Sequence, residues 1–260
     1  MNTARDISLP LEQSPVATPS RSSQKLLRLR LKLAYARVLG LSRGSYKRVW
    51  NSISPRHDLA MIGVAGIADE AEFFSSGEQS ALAIIEMLGI EQSHVVLEIG
   101  CGVGRIGKYL ALRCARWIGT DISSEMLEHA SRNTTEHKNV QLIELQNCSL
   151  TEIPSESVDR VYSTAVFMHL DEWDRFHYVR EAFRVLKPGG RCYFDNLNLA
   201  GDQGWAIFEK MSEYPPELRP PNISKSSTTE ELRIYLDRAG FIEARSCPGA
   251  HFVAVTASKP

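Results

Sequence analysis

Long apolar runs are missing from this 260-residue chain; none approaches the roughly 20 residues a membrane-crossing helix needs, so an integral membrane protein is not expected. Close cysteine pairs are missing as well. Cys101, Cys114, Cys148, Cys192 and Cys247 are odd in number and widely spaced, which excludes a zinc-type cysteine cluster and predicts no metal site, with reduced thiols in a cytoplasmic compartment. Charge of either sign is not in excess: the formal net charge is -1, so there is no overall attraction for nucleic acid or membrane. Internal repeats are absent. One local absence stands against this balance, since no Asp or Glu occurs between Glu12 and Asp58.

What is present begins with composition. With 43% hydrophobic residues the chain can bury a sizeable core. Its most informative segment is Val95 to Gly104, Val-Val-Leu-Glu-Ile-Gly-Cys-Gly-Val-Gly. The β-branched and apolar run predicts a central parallel strand, and Gly100, Gly102 and Gly104 allow the sharp turn and close backbone approach a nucleotide-type ligand requires. Cys101, inside that turn, reads as a small residue rather than a nucleophile.

The run Gly102 to Gly107 also satisfies the G-x-G-x-x-G dinucleotide pattern. Glu98, two residues before Gly100, shifts the balance: a carboxylate facing the crevice repels a pyrophosphate and favours a cation such as a sulfonium or an amino group. Glu98 followed by Gly100, Gly102 and Gly104 resembles the first motif of the class I S-adenosylmethionine-dependent methyltransferases. In motif order the resemblance runs from about Ser93 to the C-terminus. It implies a Rossmann-like, doubly wound α/β fold: a mostly parallel seven-stranded sheet with an antiparallel last strand inserted into it.

The same resemblance implies site residues. A second strand, from Arg116, ends in Asp121, whose carboxylate accepts from both hydroxyls of a ribose. Ile122 and Met126 flank the adenine, Met126 being equally suited to helix packing. The third strand, Val140 to Leu145, leads to Asn147, Cys148 and Ser149. The aspartate many family members carry there is lacking, so an amide or hydroxyl oxygen of Asn147 or Ser149 takes its place. The fourth strand, Val158 to Thr164, brings Thr164 to the cofactor and His169 just beyond. Lys187-Pro188-Gly189-Gly190 stops a helix before a fifth strand from Arg191 to Phe194. A helix over Thr228 to Ala239 and two short strands, Phe241 to Ser246 and His251 to Ala257, complete the chain.

Three domain regions are expected: a tail over residues 1–23, rich in Ser, Pro, Thr and Gln; a helical extension or cap over 24–92; and the S-adenosylmethionine-binding domain over 93–260. The segment Gln24 to Arg37 reads as a basic helix, suited to weak contact with an anionic membrane surface, to a lid meeting an acidic substrate, to packing on the domain, or to organelle targeting. Tyr46 and Trp50 are candidates for the acceptor pocket. Leu197 to Lys225, containing Trp205, reads as an irregular substrate wall, with Asn196 at the end of the fifth strand orienting the acceptor or making the turn.

The implied reaction is displacement at a sulfonium methyl group by an oxygen or nitrogen of a small or lipid-like molecule. His169 either accepts the acceptor's proton or bonds the backbone. A protein that keeps the fold and the cofactor without turnover is the alternative, and a nicotinamide-dependent oxidoreductase is a third reading. Nucleic-acid substrates are not expected, because Ser163-Thr164-Ala165-Val166 stands where an Asn/Asp-Pro-Pro-Tyr tetrad would grip an exocyclic amine.

Overall fold

The computed structural model describes residues 45–260; the expected tail and the whole of the expected basic helix, Gln24 to Arg37, lie outside the described residues. The chain enters through three helices, α1 (Tyr46–Ile53), α2 (His57–Ala65) and α3 (Glu70–Leu88), before the first strand, β1 (Val95–Ile99). Next come α4 (Gly107–Leu110), β2 (Arg116–Asp121), α5 (Ser124–Asn133), β3 (Val140–Glu144), β4 (Val158–Ser163), α6 (Glu172–Val185) and β5 (Leu186–Asn198). The last elements are α7 (Asp202–Ser212), β6 (Ser226–Ser227), α8 (Thr229–Ala239), β7 (Ile242–Pro248) and β8 (Phe252–Ser258).

The sheet runs β3-β2-β1-β4-β5-β8-β7, with β6 beside β5 off this path. Strands β1 to β5 are parallel neighbours, whereas β8 runs antiparallel between β5 and β7. The expected seven-strand path is therefore present, with one two-residue strand added. Period-2 alternation sorts the core: Leu97, Ile99, Ile118 and Phe194 face α6 and α8 through Val179, Ala182, Leu232 and Leu236. Val96, Trp117 and Tyr162 face α3 and α4 through Ile84, Leu88 and Leu110.

Helix ends follow the expected chemistry. Ser123 accepts from the Met126 N–H at 3.2 Å, and Thr228 accepts from the Glu231 N–H at 3.3 Å, so α8 starts one residue after its capping threonine. The predicted stop at Lys187 to Gly190 is found inside β5 rather than before it. Opposite it the β4–β5 register jumps from Val158↔Leu186 to Arg160↔Arg191, so the turn is accommodated as a bulge, with Gly189 at φ 74.

Helices stand on both sides of the parallel strands, one of them in the segment after β5 that reads as irregular. The Ala/Gly/Glu-rich stretch before β1 forms α2 and the 19-residue α3, capped by Asp69. The post-β5 segment contains α7, whose Gly204 lies so close to β5 that a Cβ there would sit 2.0 Å from the Asn198 carbonyl oxygen. Among the described residues no helix is long and apolar enough to cross a membrane.

Candidate active site

A cleft of about 680 Å³, counting its open mouth, lies at the carboxyl ends of β1, β2 and β4, where open α/β sheets place their ligands. It joins Gly100 and Gly102 of the turn, Asp121 and Ile122 beyond β2, Met126 of α5, Cys148 beyond β3, Thr164 beyond β4, and His169. Helix α1 supplies Tyr46 and Trp50 to the same wall. Ten of the expected site residues are thus brought together across more than a hundred positions of sequence.

The turn after β1 is tied to β2: the N–H groups of Gly100 and Cys101 both donate to the Thr120 carbonyl at 2.8 Å. Gly100 (φ 72) and Gly102 (φ 52) need the left-handed region. Each also lies under a valine: a Cβ on Gly100 would fall 2.4 Å from Val166 Cγ2, and one on Gly102 2.8 Å from Val64 Cγ2.

Asp121 is buried and accepts from the Gly102 N–H and the Ser123 N–H, each at 2.9 Å. Burial raises its carboxyl to about 6, opposed by these donors. A carboxylate has about four lone-pair directions, so two remain for a diol. With apolar Ile122 and Met126 beside it, this donor set fits the ribose and adenine of S-adenosylmethionine.

His169 stands in the turn between β4 and α6, its Nδ1 3.1 Å from the Asn222 carbonyl. A carbonyl only accepts, which puts the ring proton on Nδ1 and leaves Nε2 unprotonated. Burial pushes the imidazole down to about 4, and the Trp50 ring meets it edge-on at 4.9 Å. The turn is held from several sides. Buried Arg175 donates to the Phe167 carbonyl, to Ser227 Oγ and to Glu231; Lys225 pairs with Asp171; the Tyr46 hydroxyl donates to Asp174 and accepts from the Asp171 N–H.

Six expected site residues lie elsewhere. Glu98 does not line the cleft: strand alternation puts it on the face under α3 and α4, where it accepts from the Tyr162 hydroxyl, itself an acceptor for Trp117 Nε1. Burial there raises Glu98 to about 8. Cys101 backs the turn within the α3–α4 core. Gly104 is required by packing, since a Cβ would approach Ala130 Cα at 3.3 Å and φ is 76. Ser149 points to Glu181. Asn196 spends its amide on Ser227 and the Leu197 N–H. Trp205, on α7, is exposed and meets Phe208 at a tilt, ring centres 5.4 Å apart. Asn147 falls between these groups; it is exposed and lines an adjoining open hollow with Cys148, Lys47 and Arg48.

The structure adds lining residues that sequence reasoning missed: Gly63 and Val64 of α2, Leu145, Ala165, Val166, Leu170 and Tyr178. Tyr178 had a signal, one α6 face repeating Arg175, Tyr178, Val179 and Ala182. Val64 had none, because helical character alone does not say which residue of the helix reaches the turn.

An open, mostly parallel sheet with an antiparallel strand inserted and a cleft at the strand ends defines a Rossmann-like α/β fold. Residues 97–194 match the family model described as a methyltransferase domain. Among similar proteins, the methyltransferase GfsG of Streptomyces halstedii is 28% identical over 48% of this chain and 46% of its own length. The erythromycin 3''-O-methyltransferase of Saccharopolyspora erythraea is 30% identical over 61% and 49%. The chain therefore spans about half the length of these relatives. The phosphoethanolamine N-methyltransferase 2 of Haemonchus contortus, solved with phosphomonomethylethanolamine and S-adenosylhomocysteine, shares the fold at a TM-score of 0.61 and 16% identity, over 81% of this chain and 60% of that one. Over residues 97–194 the chain is similar to the methyltransferase-domain family, and the fold it shares with the solved structure is that of a methyltransferase bound to S-adenosylhomocysteine.

Proposed function

We propose that this protein transfers a methyl group from S-adenosylmethionine to an oxygen or nitrogen of a small or lipid-like molecule, with a hydroxyl oxygen favoured. The observation that carries the reading is one cleft holding the glycine turn and Asp121 together with a histidine whose Nδ1 proton is committed to the Asn222 carbonyl. Relatives named as an erythromycin 3''-O-methyltransferase and a phosphoethanolamine N-methyltransferase support the class of acceptor and not the identity of the molecule.

The bound cofactor supplies a methyl group on a positively charged sulfur, already a strong electrophile. Gly100 and Gly102 would admit it close to the backbone, Asp121 would accept from its ribose hydroxyls, and Ile122 and Met126 would flank its adenine, with Asn147, Cys148 and Thr164 as further candidate contacts. Trp50 and Tyr46, on the cap formed by α1 and α2, wall the acceptor, holding it on the displacement axis. His169 Nε2 would take the proton of an acceptor hydroxyl as its oxygen receives the methyl group that the bound cofactor would supply. A depressed pKa keeps Nε2 free at neutral pH.

Calorimetric titration with S-adenosylmethionine and S-adenosylhomocysteine, with NADH as control and Asp121→Ala as the site variant, tests the cofactor half. Micromolar binding of the sulfur compounds, lost in the variant and absent for NADH, is expected. A screen of hydroxylated and amino acceptors for methylated product then tests turnover. Binding without any product across the screen would favour a non-catalytic cofactor-binding protein, and binding of NADH alone would overturn the reading.

A further inference from the structure

Among the described residues, three non-glycine positions have positive φ: Glu156, Ala165 and Glu243. Only Ala165 lines the cleft. Its φ of 57 strains an L-residue with a Cβ, so something outside the turn has to hold it there. That group is Asp195 of β5, thirty residues later: Oδ1 accepts from the Ala165 N–H at 2.7 Å, and Oδ2 accepts from the Tyr193 hydroxyl at 3.2 Å. Asp195 is buried and does not itself line the cleft.

What hangs on Ala165 is the rest of the site. Thr164 precedes it in the lining, and Val166 follows with its methyl groups over Gly100. The Val166 carbonyl accepts from the His169 N–H at 2.9 Å, which sets the turn carrying the imidazole. We infer that Asp195 is a positioning residue: its buried carboxylate holds Ala165 in the left-handed conformation and so sets the Thr164–Val166 wall and the His169 turn against the glycine turn. The inference rests on reading the cleft as the cofactor site. It concerns a residue that touches neither cofactor nor acceptor.

A side chain that merely stabilises the fold and one that positions the wall separate under a rescue test. Asp195→Ala, Asp195→Asn and the double variant Asp195→Ala/Ala165→Gly are compared for S-adenosylhomocysteine affinity, at a temperature where each is folded. Asp195→Ala is expected to weaken binding about tenfold or more, as the strained turn relaxes. Asp195→Asn, whose amide oxygen still accepts the Ala165 N–H, is expected to stay within about threefold. Glycine adopts the same φ without strain, so the double variant is expected to recover most of the lost affinity.

Wild-type affinity in folded Asp195→Ala, or no recovery with Ala165→Gly, overturns the inference. Hydrogen exchange in Asp195→Ser, whose shorter side chain cannot reach the Ala165 N–H, decides the matter if the alanine variant does not fold. Faster exchange confined to residues 164–169 is expected, and unchanged exchange there overturns the inference. If the wild-type protein binds neither sulfur compound, the cofactor reading fails, and the exchange measurement still decides whether Asp195 holds the turn.

Discussion

Asp121 ends β2 and Asp195 lies in β5, with β1 and β4 between them in one sheet, and they stand in opposite relations to the cleft. Asp121 lines it and is oriented by near neighbours, the N–H of Ser123 two residues on and that of Gly102 in the adjoining turn. Asp195 lies behind the wall and reaches across thirty residues to hold a strained alanine. The β1–β2 half is thus shaped by local backbone geometry. The β4–β5 half is assembled from distant pieces: Asn222 on His169, Trp50 on the imidazole, Tyr46 on Asp174, and Arg175 joining the turn to β6 and α8.

The sharpest way to break that separation is His169→Gln. It is expected to lower turnover by about 100- to 10,000-fold while S-adenosylhomocysteine affinity stays within about threefold. A parallel loss of affinity in calorimetry would show that the two halves act as one unit.

Gly100→Ala attacks the other side. An added methyl 2.4 Å from Val166 Cγ2 at φ 72 is expected to destabilise the fold by about 1–3 kcal/mol. It should also cost at least about tenfold in cofactor affinity, the affinity change being converted at 1.4 kcal/mol per tenfold. Thermal denaturation and titration together check it, and an unaffected variant would remove the close approach from the account.

Glu98 sharpens the comparison through pH. Its carboxyl, raised by burial to about 8 from an ordinary value of 4.5, binds a proton more tightly folded than unfolded. That contribution is fully present below about pH 4.5 and fades as pH rises towards about 8, by on the order of 1 kcal/mol per pH unit. Glu98→Gln should flatten the decline of melting temperature between pH 5 and 8 and raise stability at the alkaline end. An identical slope in the variant would place the carboxylate outside this linkage.

The smallest effect is expected from Tyr46→Phe, which removes the hydroxyl bridging Asp174 and the Asp171 N–H. A loss of about 1 kcal/mol in denaturant unfolding is expected, with cofactor affinity nearly unchanged. No stability change would detach α1 from the His169 turn energetically.

Legibility followed the same divide. Gly100, Gly102, Asp121, Ile122 and Met126 lie within 27 consecutive positions, and their placement follows from strand, turn and helix start alone. Glu98 shows the limit of such reading: its residue type suited a cationic ligand, but alternation along β1 turned it under α3, towards Tyr162 and Trp117. Trp205 and Asn196 failed for a different reason. Their segment held a helix pinned to β5 by Gly204, and the Asn196 amide was already spent within the sheet.

By itself the sequence determined the strand order signals, the glycine turn, the carboxylate at the end of β2 and the helix caps, because each depends on interactions among residues a few positions apart. Only the tertiary structure decided that α2 lays Val64 over Gly102, that the Asn222 carbonyl orients His169, and that Asp195 restrains Ala165. Those contacts join segments separated by 30 to more than 50 residues. They form where packing brings chain segments together, and no local propensity encodes them.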